Sequence, residues 1–252
     1  MTQEIPGIDG WFWADDLDLS ALSYPQFLDF FFDRPIVGNK EQYNLFHGGI
    51  DYFAAEKPAI VVAHVHAMCQ SLSELTKIYS QEQLNQGLWA VFGAGTSCEQ
   101  YLFDPAVDLH LRINCIESMY QPFRDIVAKS SLDKKESFYW MWWDMILQTF
   151  WITFRETDDN YDALTRDAKR LVDAMYETLL KILALDHPAC QWSALHGLGH
   201  LHHPEARETV QRYLDTHRAN LCKKKWNGLK VAVTGQTHSY FPSFVCATAC
   251  AR

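Results

Sequence analysis

From residue 58 onward the apolar positions recur every three or four residues, the spacing of one helical face. In KPAIVVAHVHAMCQSLSELTKIY (57–79) they fall at Val61, Val65, Met68, Leu72, Leu75 and Tyr79. SQEQLNQGLWAVF (80–92) opens with Ser80 and Gln83 at the spacing of a capping box. DPAVDLHLRINCIESMYQPFRDIV (104–127) predicts a helix with Asp104 as N-cap and Pro105 at its first position. An aromatic helix follows over about 136–154. DDNYDALTRDAKRLVDAMYETLLKILAL (158–185) predicts one long amphipathic helix with Leu164, Ala168, Leu171, Met175, Leu179 and Ile182 on one side. Its four leading acids, Glu156, Asp158, Asp159 and Asp162, are placed to cap it and complement its dipole. Helices near 188–201 and 204–217 complete the series.

Strand patterns are sparse. Only GLKVAVTGQT (228–237) reads as a short β-like run, and no pair of alternating segments flanks a hairpin turn. The first 57 residues collect turn formers, PGIDG, RPIVGN and HGG, around a helix near 25–33 whose FLDFFF run is built to dock on the body. With no linker in sight, the pattern predicts one all-α domain across 1–252. It has an irregular cap over 1–57, a compact right-handed stack of about eight to ten helices over 58–217, and a basic tail over 218–252.

Composition narrows the picture. Hydrophobic residues make up 48% of the 252 positions and charged residues 21%, a globular balance. The net charge of −9 argues against general nucleic-acid binding, and its distribution is uneven. Residues 1–60 carry −7, residues 61–217 carry −8, and residues 218–252 carry +6. Such a chain can present an acidic face to a basic partner, or its two ends can neutralise each other. FYWMWWDMILQTFWITF (138–154) is 17 residues long, the lower limit for a membrane span, but Asp144 and Gln148 interrupt it, so a buried helix is expected. The N-terminus has no basic start and no apolar run, and the seven cysteines lack paired spacings. Both point to a cytoplasmic protein with reduced thiols.

Chemistry concentrates in ALHGLGHLHHPEARETVQRYL (194–214), where His196, His200, His202 and His203 fall within eight positions. On one helix, residues 196, 200 and 203 share a face, and a pair at i, i+4 can chelate a metal. Against that, Pro204 pushes His203 out of the helix, no Glu follows the first histidine, and the intervening glycines suit close helix packing. GAGTSC (93–98) has no lysine to close a phosphate loop and reads as a plain loop, and CATAC near the C-terminus has no second ligand pair.

The same segment resembles a HEAT-type repeat. Ala194, Leu195, Leu198, Gly199 and Leu201 match its first helix, Pro204 and Ala206 its turn, and Val210, Tyr213 and Leu214 its second helix. His203 stands where the family has a capping Asp, a loss of about 1 kcal/mol unless the imidazole accepts the amide hydrogen bond instead. A matching break at His187-Pro188 lies 16 residues upstream of Pro204. The resemblance implies an α-solenoid-like stack and no particular activity. The iron-binding branch of that family uses His-Glu dipeptides, and this chain has none. The DNA-glycosylase branch needs a cationic face, which −9 does not provide.

The function expected from these features is a non-catalytic protein–protein interaction protein without a cofactor. One concrete form is a bacterial immunity-type protein that holds a basic toxin by electrostatic attraction. Trp140, Trp143, Asp144, Trp151, Asp158 and Asp159 are the expected partner contacts. The alternative is a metal-dependent enzyme on His196, His200 and His203, with Glu205 or Asp186 completing the shell. A third reading is a small-molecule cavity lined by the tryptophans.

Overall fold

The computed structural model describes residues 17–34, 53–92, 96–129, 138–140 and 142–217. The β-like run, the basic tail, CATAC, the side chain of Trp140 and most of the first 57 positions lie outside the described residues. Among those described, the fold is all-α. Its helices are α1 (Tyr24–Phe32), α2 (Pro58–Leu75), α3 (Gln81–Val91), α4 (Leu109–Ser118), α5 (Tyr120–Asp125), α6 (Trp142–Thr153), α7 (Arg166–Leu183), α8 (Pro188–His200) and α9 (Ala206–His217). Two-residue strands β1 (Leu17–Asp18) and β2 (Phe53–Ala54) pair in parallel and tie the segment before α1 to the start of α2. None of these helices is long and apolar enough to cross a membrane.

Helix α7 shows how patterning becomes packing. Every residue of its predicted stripe, Leu164, Ala168, Leu171, Met175, Leu179 and Ile182, is buried. Each large apolar side chain so buried stabilises the fold by about 1.5–3 kcal/mol. The helix starts later than its sequence suggests. Thr165, not one of the acids, caps it by accepting from the amide of Ala168. The acids sit earlier, in 3-10 turns where Asp158 and Asp159 take left-handed φ values of 48° and 56°. A side-chain hydroxyl three residues before a free amide outcompetes charges farther from the helix end. A similar shift occurs at α4. Asp104 accepts from Ala106 in a turn, and Asp108, which accepts from His110 and Leu111, is the cap. The capping box at Ser80 and Gln83 forms as the spacing predicts.

The packing order differs from the chain order. Helix α2 lies on α4 and α5, α4 on α7, and α7 on α8, while α8 also carries α6 and α9. Aromatic residues fill the space between them. Trp142 meets Phe92 edge-on at 4.6 Å and Phe138 at 5.3 Å, and Phe150 meets Phe103 at 5.2 Å. Helix α6, apolar on every side in sequence, buries Trp142, Trp143, Ile146, Leu147, Phe150 and Trp151 but leaves Gln148, Ile152 and Thr153 exposed. It is an edge helix with one open flank.

On α3, Gly87 faces α1 so closely that a Cβ there would sit 2.7 Å from the carbonyl oxygen of Phe31 and collide with the Phe32 ring. Backbone cannot swing aside as a side chain can. Gly87→Ala is therefore expected to destabilise the protein by about 2 kcal/mol, despite the roughly 1 kcal/mol that Ala gains over Gly in a helix. A lower urea midpoint with unchanged m-value is the expected result.

Candidate functional site

The break at Pro204 occurs where the sequence places it. Helix α8 ends at His200, His202 turns left-handed with φ 54°, and α9 begins at Ala206. The three-histidine face is thereby divided. His203 points to α7, where its ring stacks on Tyr176 at 4.0 Å and its Nε2 lies 3.4 Å from Asp173 Oδ1. Its Nδ1 accepts from the amide of Glu205 at 3.1 Å, so the imidazole serves as the cap that the missing Asp would provide. Tyr176 donates onward to Glu205 and shares a 2.7 Å hydrogen bond with Thr209, while Tyr161 donates to Asp173 at 2.7 Å. His203 is a corner post, and it does not join a metal face. Glu205 is part of the same corner, and Asp186 is exposed in the turn before α8.

The other two histidines find a third donor that sequence reasoning had assigned to partner contact. His196 and His200, one turn apart on α8, both face Asp144 of α6. Asp144 Oδ1 lies 2.6 Å from His196 Nε2 and 3.5 Å from His200 Nε2. One ligand atom from each of the three residues falls within 4.8 Å of the others. Asp144 Oδ1 thus faces both imidazoles across short N···O distances. A tetrahedral ion with ligands at about 2.1 Å separates them by about 3.4 Å, a spacing that Asp144 and His200 already have and that Asp144 and His196 would reach by moving about 0.8 Å apart. The side chains are 20%, 13% and 34% exposed for Asp144, His196 and His200, which leaves one side open to solvent.

Electrostatics favours the ligating form of His200. Burial lowers its pKa, and His196 beside it lowers it further, against a smaller opposing pull from Asp144. Both effects hold the imidazole neutral, as metal binding requires.

Gly197 makes this convergence possible. A Cβ on it would lie 2.8 Å from Leu179 Cδ2 and 3.0 Å from the Cβ and Cγ of Trp143, so α8 meets the side-chain root of Trp143 on α6 and the tip of Leu179 on α7. Trp143 is 1% exposed and belongs wholly to the core, so its ring has no surface for a partner. Trp151, 8% exposed, is likewise spent inside, its indole N–H donating to the carbonyl of His200 at 3.1 Å. Asp158 is exposed and Asp159 half-buried on the turn before α7, away from the histidines in sequence and secondary structure. The loop expected at GAGTSC is structural in its described part, for the Thr96 hydroxyl donates to Ala90 and Val91 at the end of α3.

One buried acid gave no sequence signal. Glu99 is 4% exposed, accepts from Thr149 at 3.3 Å through one oxygen, and has no partner for the other among the described residues. Burial pushes its pKa up to about 8. No protein-family model, curated protein or solved structure matches this chain.

Two pH effects follow, each isolated by comparison with a variant. Burial lowers the pKa of His203, so the unfolded chain binds more protons below its ordinary value of 6.5. Its stabilising contribution is complete above that pH and is lost as pH falls through the lowered folded value. His203→Asn keeps an acceptor for the Glu205 amide without a titrating ring. The stability of wild type relative to this variant is expected to drop between pH 7.5 and 5.5 in parallel urea titrations. For Glu99, whose folded pKa is raised, the sign reverses: stability is complete below about 4.5 and is lost as pH rises through about 8. Glu99→Gln is expected to raise Tm over wild type, and by more at pH 9 than at pH 5.

Proposed function

We propose that this is a metal-dependent protein in which Asp144, His196 and His200 hold one divalent first-row transition-metal ion. The convergence of one carboxylate and two imidazoles from α6 and α8, within 4.8 Å, carries the reading. Mixed N and O donors suit zinc or ferrous iron better than calcium or magnesium, which prefer oxygen. Three protein ligands on one side leave coordination positions for water or a substrate, the pattern of a catalytic rather than a closed structural site. The ion would replace the Asp144–His196 contact as the link between two helices and would act as a Lewis acid toward whatever occupies its open side.

Purified protein is expected to hold about one equivalent of zinc, iron or manganese by elemental analysis. His196→Ala combined with His200→Ala is expected to abolish it, and Asp144→Asn to weaken affinity by at least tenfold. His203→Ala is expected to leave metal content unchanged, because that ring belongs to the corner. Metal content indifferent to all three ligand changes would sink the proposal.

The interaction reading stands beside it as a second proposal. Its support is the charge distribution, −8 over residues 61–217 against +6 over 218–252. Together with the resemblance of residues 194–214 to a HEAT-type repeat, it supports the reading of an acidic helical face for a basic protein, such as a toxin domain. Binding of such a partner is expected to weaken steeply with added salt.

A further inference from the structure

Helix α8 ends on a residue of the site. His200 is its last position, so the carbonyl of His200 is one of the four that a helix leaves without an intrahelical partner. The chain cannot extend the helix to satisfy it, since His202 turns left-handed and Pro204 follows. Fraying of that last turn would carry His200 away from Asp144 while leaving His196, one turn deeper, in place. Trp151 opposes this. Its indole N–H donates to the His200 carbonyl at 3.1 Å, and its ring meets the His202 ring edge-on at 5.3 Å. Trp151 and Asp144 are seven residues apart on α6, two turns, and so share one face. That face supplies both the carboxylate and the donor that fixes where the second imidazole sits.

We propose that Trp151 is the positioning residue of the metal site, capping the end of α8 so that His200 is held toward Asp144; this rests on the metal reading above. The group acts on the backbone of a ligand-bearing residue, as outer partners orient ligands at other metal centres. It touches neither ion nor substrate.

The test uses the full chain and Co(II) alone as the probe, followed by visible absorption. Wild type is expected to give a saturable d–d spectrum. Trp151→Phe is expected to raise the Co(II) dissociation constant about tenfold and to shift that spectrum, because the coordination geometry changes. Should the smaller ring impair folding, β-3-benzothienylalanine at position 151 keeps the shape of the indole and removes only the N–H. It is expected to weaken Co(II) binding and shift the spectrum while the metal-free protein stays folded, its Tm lowered by no more than the loss of one buried hydrogen bond accounts for. Wild-type affinity with a wild-type spectrum in the isosteric protein overturns the role of Trp151 and leaves the site standing. Absence of any saturable Co(II) spectrum from wild type overturns the site itself, and this role with it.

Discussion

Where α6 crosses α8, the missing side chain of Gly197 lets the root of Trp143 lie against the helix backbone, and the candidate site depends on that closeness. Asp144 is the neighbour of Trp143, and His196 is the neighbour of Gly197, so the contact that packs the two helices also delivers the carboxylate to the imidazole. A bulkier residue at 197 would push α6 outward, and the short carboxylate stem could not recover the gap. Packing density here does chemical work, because interiors relax only partly around an added methyl group.

Close helix approach requires a rigid frame, which the aromatic core and the Pro204 corner provide. Trp142 and its ring neighbours fill the volume beneath α6 with side chains that have few rotamers. At the corner, His203, Tyr176, Thr209, Glu205, Asp173 and Tyr161 link α7, the turn and α9 through partnered polar groups. A network in which each member finds a partner specifies one arrangement, whereas a half-satisfied one would invite alternatives. The corner thus fixes the direction in which α8 leaves the body. His200 stands at the junction of the two systems, bonded to Trp151 of α6 and followed two residues later by the left-handed turn at His202.

Histidines of the same short segment consequently have opposite fates. His203 spends both ring nitrogens on structure, one as acceptor for a helix amide and one toward Asp173. His196 and His200 turn toward a carboxylate at a half-open surface, with His200 kept neutral by burial. Residue type alone does not separate these roles. What separates them is which side of the helix end each falls on, and what the neighbouring helix brings to meet it.

Local patterns carried much of the architecture. The stripe on α7, the capping box at Ser80, the break at Pro204, the imidazole cap at His203 and the tight approach near Gly197 each depend on residues within a turn or two, so spacing reveals them. The helices start later than Asp104 and Asp158 suggest because Asp108 and Thr165 take the caps, and only backbone geometry decides among such nearby candidates. The third donor was out of reach by the same reasoning. Asp144 lies 52 residues from His196, inside a segment whose tryptophans advertise only burial. Sequence by itself determined that the chain is helical, where its corner lies and which histidines share a face. Tertiary structure alone decided that α6 packs on α8, and therefore which carboxylate those histidines meet, because that pairing is set by side-chain shape across the core and not by distance along the chain.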